Sequence, residues 1–191
     1  EDGGNVDARR NMLHASFYAG CAFTKSYVGY VHAIAHSLGG EYNVPHGFAN
    51  AVILPMVLEA YGEKIHKKLA RLAVAAGLAD EDTPCAQAAG QFIQAIKDMK
   101  ERFGIGSRIP EIRETDIPKL AHYADKEANP LYPVPVLMNA AELEIAVRAA
   151  FEKYLQFDGT VHKKGGFQLH FDDKWAPLLT KLLPTEIVRT D

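Results

Sequence analysis

Residues 30–47 read YVHAIAHSLGGEYNVPHG and set three histidines in the pattern H-x3-H-x9-H. His32 and His36 are one helical turn apart, so they project from the same face of a helix. The glycine pair at 39–40 predicts the end of that helix, because glycine adopts positive φ at little cost. The turn that follows can bring His46 back towards the first two histidines.

Three imidazoles in so short a segment point to a metal site. Imidazole is the commonest neutral metal ligand, and it suits iron and zinc alike. The alternative is three unrelated histidines, each satisfied by a backbone carbonyl group or by solvent. A catalytic ion usually has three or more protein ligands, so these histidines supply only part of a ligand set. Asp158 and His162 have a D-x3-H spacing, but their stretch has little helical pattern and we interpret the spacing as coincidence.

Length, composition and charge are those of an ordinary globular chain. Its 191 residues are 48% hydrophobic and 24% charged, which is enough for a real core in one domain or two small ones. The net charge of -3 and the scattered basic residues give no electrostatic case for nucleic-acid binding, which usually needs a basic surface. The sequence has no apolar run long enough to predict a membrane span.

The first residues and the cysteines indicate a cytoplasmic protein. Residues 1–4 read EDGG and lack the basic and apolar regions of a secretion signal. Cys21 and Cys85 are too few to form a disulfide framework. We therefore expect both to be buried thiols in a reducing cytoplasm.

The chain is predicted to be all-α, a helical bundle. Apolar residues recur at helical spacing, and Thr83-Pro84 provides a helix start. Asn139 with Glu142 three residues later resembles a capping box, which predicts the start of a last helix. Helices are predicted over residues 27–38, 63–76 and 84–103, and from about residues 7, 46, 116 and 139 onward.

We expect two regions, a helical metal-binding domain over residues 1–156 and a tail over residues 157–191. Residues 129–136 contain three prolines and predict an extended connector inside the first region. In the tail, Phe167, Leu169 and Phe171 alternate with polar residues after a glycine pair. That alternation predicts a small hairpin.

Two segments resemble the signature of the iron-containing (group III) alcohol dehydrogenase family. They are residues 29–36, which read GYVHAIAH, and residues 45–55, which read PHGFANAVILP. The preceding Ala22-Phe23 also fits, as do residues 128–135, which read ANPLYPVP. The similarity covers roughly residues 8–155.

The resemblance implies a fold, a reaction and roles for four residues. Family members have an N-terminal nucleotide-binding domain and an all-helical C-terminal domain, with Fe2+, or sometimes Zn2+, in the cleft between them. One aspartate and three histidines bind the ion, and His32 and His46 would be two of these ligands. His36 would be a catalytic neighbour of the nicotinamide and substrate, acting in proton transfer. Phe23 would form an aromatic wall of the substrate pocket.

The same resemblance implies that parts of the enzyme are missing. The family's other two ligands lie on a D-x3-H helix that precedes this segment, and so does its glycine-rich loop for NAD or NADP. The chain therefore resembles part of the helical domain without its first helices, and we expect it to be inactive alone. Its expected partners are a small alcohol or aldehyde, the missing nucleotide-binding domain and, through exposed apolar surface, a second copy in a homo-oligomer. Residues 157–191 match nothing expected of the family.

Two other interpretations remain open at this stage. The chain could be a non-enzymatic helical interaction module that kept its histidines as core residues. It could also be a metal-dependent relative of dehydroquinate synthase. The run PHGFANAV at residues 45–52 favours the alcohol dehydrogenase branch.

Overall fold

The computed structural model describes residues 2–151, and all regular structure in that range is helical. The α-helices are α1 (Val6–Ser26), α2 (Tyr30–Tyr42), α3 (His46–Tyr61), α4 (His66–Ala75), α5 (Cys85–Arg102), α6 (Ile117–Ala128) and α7 (Ala140–Phe151). Short 3-10 helices, Gly62–Ile65 and Glu114–Asp116, precede α4 and α6. The all-α prediction is confirmed for the described residues.

The predicted hairpin at residues 167–171 lies outside the described residues, as does the whole tail at residues 157–191. The D-x3-H pair Asp158 and His162 lies there too. The boundary between residues 156 and 157 therefore stays a prediction.

Helix α2 contributes several fully buried side chains to the core. It packs against α3 and α6, while α7 packs against α3 and α6, and α5 packs against α3 and α4. Tyr30, Ile34 and Leu38 are fully buried and follow one another at four-residue spacing, so they form the core-facing stripe of α2. Burial of one such aliphatic side chain contributes about 1.5–3 kcal/mol. His32 and His36 fall outside this stripe and therefore lie at the edge of the bundle.

Helix α2 ends later than its glycines predict. The helix continues through residues 39–40 to Tyr42, and Asn43 then adopts the left-handed conformation with φ 55°. The Asn43 N–H donates to the Gly39 carbonyl oxygen at 2.9 Å, which closes the last turn. Glycine inside a helix costs only about 1 kcal/mol, and asparagine tolerates the left-handed region, so Asn43 ends the helix.

The hydroxyl of Tyr30 ties the connector after α6 to the first turn of α2. It donates to the Asn129 side-chain oxygen at 2.8 Å and accepts from the Met138 backbone N–H at 2.9 Å. The Asn129 amide in turn donates to the Met138 carbonyl oxygen at 2.8 Å. Both ends of the connector are thus held beside the start of α2.

The capping box at the start of α7 is confirmed. The Asn139 side-chain oxygen accepts from the backbone N–H groups of Ala141 and Glu142, and the Glu142 carboxylate accepts from the Asn139 N–H at 2.9 Å. This reciprocal arrangement satisfies donors that a helix start otherwise leaves unpaired.

Helix α1 buries none of its residues. Its N-cap is Asn5, whose side chain accepts from the Ala8 N–H. The expectation of buried thiols is wrong, because both Cys21 and Cys85 are exposed. Cys21 lies on this uncovered helix and Cys85 is the first residue of α5, so neither position faces the core. Among the helices that the structure describes, none is long and apolar enough to cross a membrane.

Candidate metal centre

The three histidine rings lie together where α2 passes the start of α3. The ring centroids of His32 and His46 are 5.3 Å apart, and those of His36 and His46 are 5.2 Å apart with nearly parallel planes. The His32 and His36 rings are 6.1 Å apart, as expected for one helical turn. His32 is partly buried, whereas His36 and His46 are exposed. The turn before His46 therefore brings the third ring back to the first two.

His46 is held by a residue one turn further along its own helix. Its Nε2 atom lies 2.8 Å from Nδ2 of Asn50. An amide nitrogen only donates, so this ring nitrogen accepts the hydrogen bond with its lone pair. The other side-chain atom of Asn50, Oδ1, is buried and has no hydrogen-bond partner within the described part of the chain. The Asn50 amide is thus only half satisfied beside the histidines.

His36 is held by a residue far away in the sequence. Its Nδ1 atom lies 2.7 Å from Oε1 of Glu127, which belongs to the last turn of α6. The hydroxyl of Tyr132 donates to the same oxygen at 2.7 Å. Burial, and then the hydrogen bond to Glu127 and its charge, raise the pKa of Tyr132 to about 12. Tyr132 is consequently a neutral donor at physiological pH.

The surroundings of His32 favour its neutral form. Burial lowers the pKa of His32 below its usual value, and the nearby rings of His46 and His36 lower it further, while the charge of Glu127 opposes them. Neutral imidazole is the form that binds metal ions.

A cavity of about 460 Å³ lies beside His32. Phe23 from the end of α1 lines it, together with Asn50 and the proline-rich connector. Phe23 is 52% exposed, so about half of the residue faces open space. The structure thus brings Phe23 and His32 to one cavity, and the role of Phe23 in a substrate pocket stays a prediction.

The two imidazoles of His32 and His46 are ligands of a type that iron and zinc accept, but they do not make a complete set. Two imidazoles that share one ion through nitrogen bonds of about 2.1 Å have ring centres roughly 5 Å apart, close to the separation of His32 and His46. Within residues 2–151, however, no group of three or more histidine, cysteine, aspartate or glutamate side chains is arranged to hold an ion. The pair could therefore supply only part of a ligand set.

Sequence reasoning did not identify Asn50 or Glu127 as parts of this site. For Asn50 a signal was available, because a residue four positions after His46 on one helix faces the same side. For Glu127 the sequence contained no such signal, because 91 positions separate it from His36 and only the packing of α6 on α2 brings the two residues together.

Comparison with known proteins identifies relatives of the whole helical region. Residues 1–151 match the model of the Fe-containing alcohol dehydrogenase family, C-terminal. The chain is 38% identical over 151 residues to 1,3-propanediol dehydrogenase of Citrobacter freundii, a match that covers 78% of the chain and 39% of that protein. It is 34% identical over 156 residues to alcohol dehydrogenase 4 of Saccharomyces cerevisiae, covering 80% of the chain and 39% of that protein.

The fold agrees with solved structures of the same kind. The crystal structure of a 1,3-propanediol oxidoreductase superposes with a TM-score of 0.73 at 38% identity, over 78% of this chain and 39% of that one. In these three matches the chain spans 39% of the relative's length. Helices, histidine cluster and sequence similarity coincide over one region, and the chain belongs to the Fe-containing alcohol dehydrogenase family, of which it carries the C-terminal domain.

Proposed function

We propose that the chain is the C-terminal part of a metal-dependent, NAD- or NADP-linked alcohol dehydrogenase that interconverts primary alcohols and aldehydes. The observation that carries the proposal is the proximity of the His32 and His46 rings, 5.3 Å apart at the open edge of the bundle. The relatives are named as dehydrogenases of 1,3-propanediol and of other alcohols, which supports the reaction class.

His32 and His46 would hold the ion, which would be Fe2+ or Zn2+. When bound, the ion would act as a Lewis acid towards the oxygen of the alcohol or aldehyde. Burial lowers the pKa of His32, which favours the neutral ring that can bind an ion. The remaining ligands belong to the part of the enzyme outside this chain.

Three other features of the chain would serve the substrate. His36 lies against His46 and would take up or return the proton of the alcohol hydroxyl. Phe23 and the apolar walls of the cavity would exclude water from the reacting carbon. Hydride transfer to the nicotinamide belongs to the cofactor, which the missing N-terminal domain would bind.

The chain alone is expected to be inactive. It corresponds to 39% of the length of its relatives and supplies two of the ligands that the family resemblance implies. Its affinity for metal should be weak and should fall at low pH, because protonated imidazole does not bind an ion.

The missing N-terminal domain would be the chain's main partner. Helix α1 leaves large apolar side chains uncovered, and the relatives have further chain that can cover such a face. Without that cover, the same face would favour a homo-oligomer. Two exposed free thiols are compatible with the cytoplasm, where we propose that the protein acts.

The proposal is tested on the intact enzyme that contains this chain. With NAD+ or NADP+ and a panel of short primary alcohols, His32→Ala and His46→Ala should each lower kcat by about 100-fold or more, because polarisation by the metal contributes several kcal/mol. His122→Ala, at an exposed histidine of α6, is the matched control and should retain activity. Full activity of the double variant His32→Ala and His46→Ala would overturn the proposal. Alcohol oxidation by the 191-residue chain alone would refute the expectation that this chain is inactive by itself.

A further inference from the structure

We propose that Glu127 is a positioning residue that fixes the tautomer of His36, with Tyr132 holding the same carboxylate oxygen in place. The consequence of this role for catalysis rests on the proposed function, whereas the geometry of the contact does not. The inference assigns a role to Glu127, which lies outside the segments that carry the family resemblance, and to Tyr132, to which the resemblance gave no role.

The hydrogen bonds determine which nitrogen of His36 carries the proton. A carboxylate has no hydrogen to donate, so Nδ1 of His36 must donate to Oε1 of Glu127 at 2.7 Å. In the neutral ring, Nε2 is then the atom with the free lone pair. Nε2 is consequently the atom that can accept a proton.

Tyr132 holds the carboxylate of Glu127 in the position from which it accepts from His36. Its hydroxyl donates to the same Oε1 atom at 2.7 Å, so one carboxylate oxygen accepts from two donors. The connector that carries Tyr132 is anchored by Tyr30, through Asn129 at one end and Met138 at the other. Glu127 itself lies in the last turn of α6, which packs on α2. The donors and the acceptor are therefore all placed by the core.

Stability alone does not account for this contact. The side chains of His36 and Glu127 are 44% and 34% exposed, and even with the His36 ring protonated such an exposed ion pair contributes only about 0–1 kcal/mol. Its effect lies instead in the orientation and tautomer of the ring, as for the aspartate that orients the histidine of a serine protease.

The role in the reaction follows from where the proton goes. In the proposed reaction the alcohol would lose a hydride from its carbon and a proton from its oxygen. Nε2 of His36 would take that proton, and the carboxylate of Glu127 would then face a positively charged ring. In aldehyde reduction the same proton returns from Nε2 to the oxygen.

The first experiment reads the tautomer directly on the 191-residue chain. Long-range nitrogen–proton NMR of the imidazole rings at neutral pH should show His36 mainly with its proton on Nδ1. Glu127→Ala should move the proton to Nε2, the ordinary site in an unconstrained neutral imidazole. Glu127→Gln should keep it on Nδ1, because an amide oxygen still accepts a hydrogen bond. Glu101→Ala, at an exposed glutamate of α5, is the control and should change nothing.

The second experiment measures catalysis in the intact enzyme. Glu127→Ala should lower kcat by about 10–100-fold with little change in the KM of the alcohol, since it alters proton transfer and not substrate binding. Glu127→Gln should retain more activity than Glu127→Ala.

The outcomes separate this inference from the proposed function. A wild-type His36 with its proton on Nε2, or a tautomer that Glu127→Ala leaves unchanged, overturns the positioning role even if the enzyme oxidises alcohols. The opposite result is also informative. If the tautomer responds as expected but the intact protein has no alcohol dehydrogenase activity, the positioning role stands and the proposed function is refuted.

Discussion

Nε2 of His46 accepts a hydrogen bond of 2.8 Å from the side-chain amide of Asn50, one turn further along α3. Both residues lie on one face of the helix that begins at His46, so the contact is local and needs no other element. It engages a nitrogen lone pair that a metal ion could otherwise use. Asn50 therefore competes with any ion that binds His46 through Nε2.

Removal of this competitor should strengthen metal binding. Asn50→Ala is expected to tighten the binding of Zn2+ to the chain by about fivefold, because a neutral hydrogen bond contributes a net of about 1 kcal/mol. Isothermal titration of the chain with Zn2+ measures the change. Asn11→Ala, at an exposed asparagine of α1, is the control. Weaker binding by Asn50→Ala would mean that the amide supports the metal-bound ring.

The hydroxyl of Tyr30 should contribute measurably to stability. Tyr30→Phe leaves the Asn129 side-chain oxygen and the Met138 N–H without this partner in the core. A polar group left unpaired in the core costs about 1–3 kcal/mol, and the free energy of unfolding in urea should fall by that amount. Tyr18→Phe, on the exposed face of α1, should change it by less than about 0.5 kcal/mol. Equal stability of the two variants would contradict the role assigned to Tyr30.

The sequence was sufficient for the features that depend on local periodicity. The spacing of His32 and His36 predicted one shared helical face, and the turn before His46 predicted that its ring would return to them. The pair Asn139 and Glu142 predicted the cap of α7. His32 and His36, and Asn139 and Glu142, lie within one turn of each other, so spacing alone determines their geometry, whereas the position of His46 also depends on the turn between α2 and α3.

Features that depend on packing were not predictable in the same way. The glycines at 39–40 do not end α2, because the helix continues to Tyr42, whose side chain packs against the core. Glu127 reaches His36 only through the packing of α6 on α2. The exposure of Cys21 could not be predicted from hydrophobicity alone, since no residue among 2–151 packs on α1 deeply enough to bury any of its side chains.

The uncovered face of α1 should drive self-association of the chain. Val6, Leu13 and Phe17 share one side of this helix, and Leu13 and Phe17 are 69% and 66% exposed. Sedimentation velocity under reducing conditions should show an average mass that rises with concentration. The double variant Leu13→Lys and Phe17→Lys should remain monomeric at the same concentrations.

A matched pair of substitutions separates the apolar face from added charge. Asn11→Lys and Ala15→Lys place the same two charges on another side of α1, where both residues are exposed. This control should associate like the wild-type chain. A wild-type chain that stays monomeric at every concentration would refute the assignment of this face as an interface.

Tyr132 should make the folded chain less stable at alkaline pH. Its pKa is raised from the ordinary 10.0 to about 12, first by burial and then by Glu127. Between these values the unfolded chain loses the phenolic proton while the folded chain keeps it, so unfolding becomes easier as the pH rises. Burial also raises the pKa of Tyr61, which acts in the same direction.

Substitution of Tyr132 isolates its share of this effect. Free energies of unfolding, measured in urea from pH 9 to about 12, should decrease less steeply for Tyr132→Phe than for the wild-type chain. The hydroxyl is partly exposed, so the difference should be small and should be read as a change of slope. Tyr18→Phe removes a hydroxyl from an exposed site on α1 and is the matched control. If Tyr132→Phe, like the control Tyr18→Phe, has a pH profile parallel to that of the wild-type chain, Tyr132 does not hold its proton beside Glu127, and the shared carboxylate oxygen is not part of the folded state in solution.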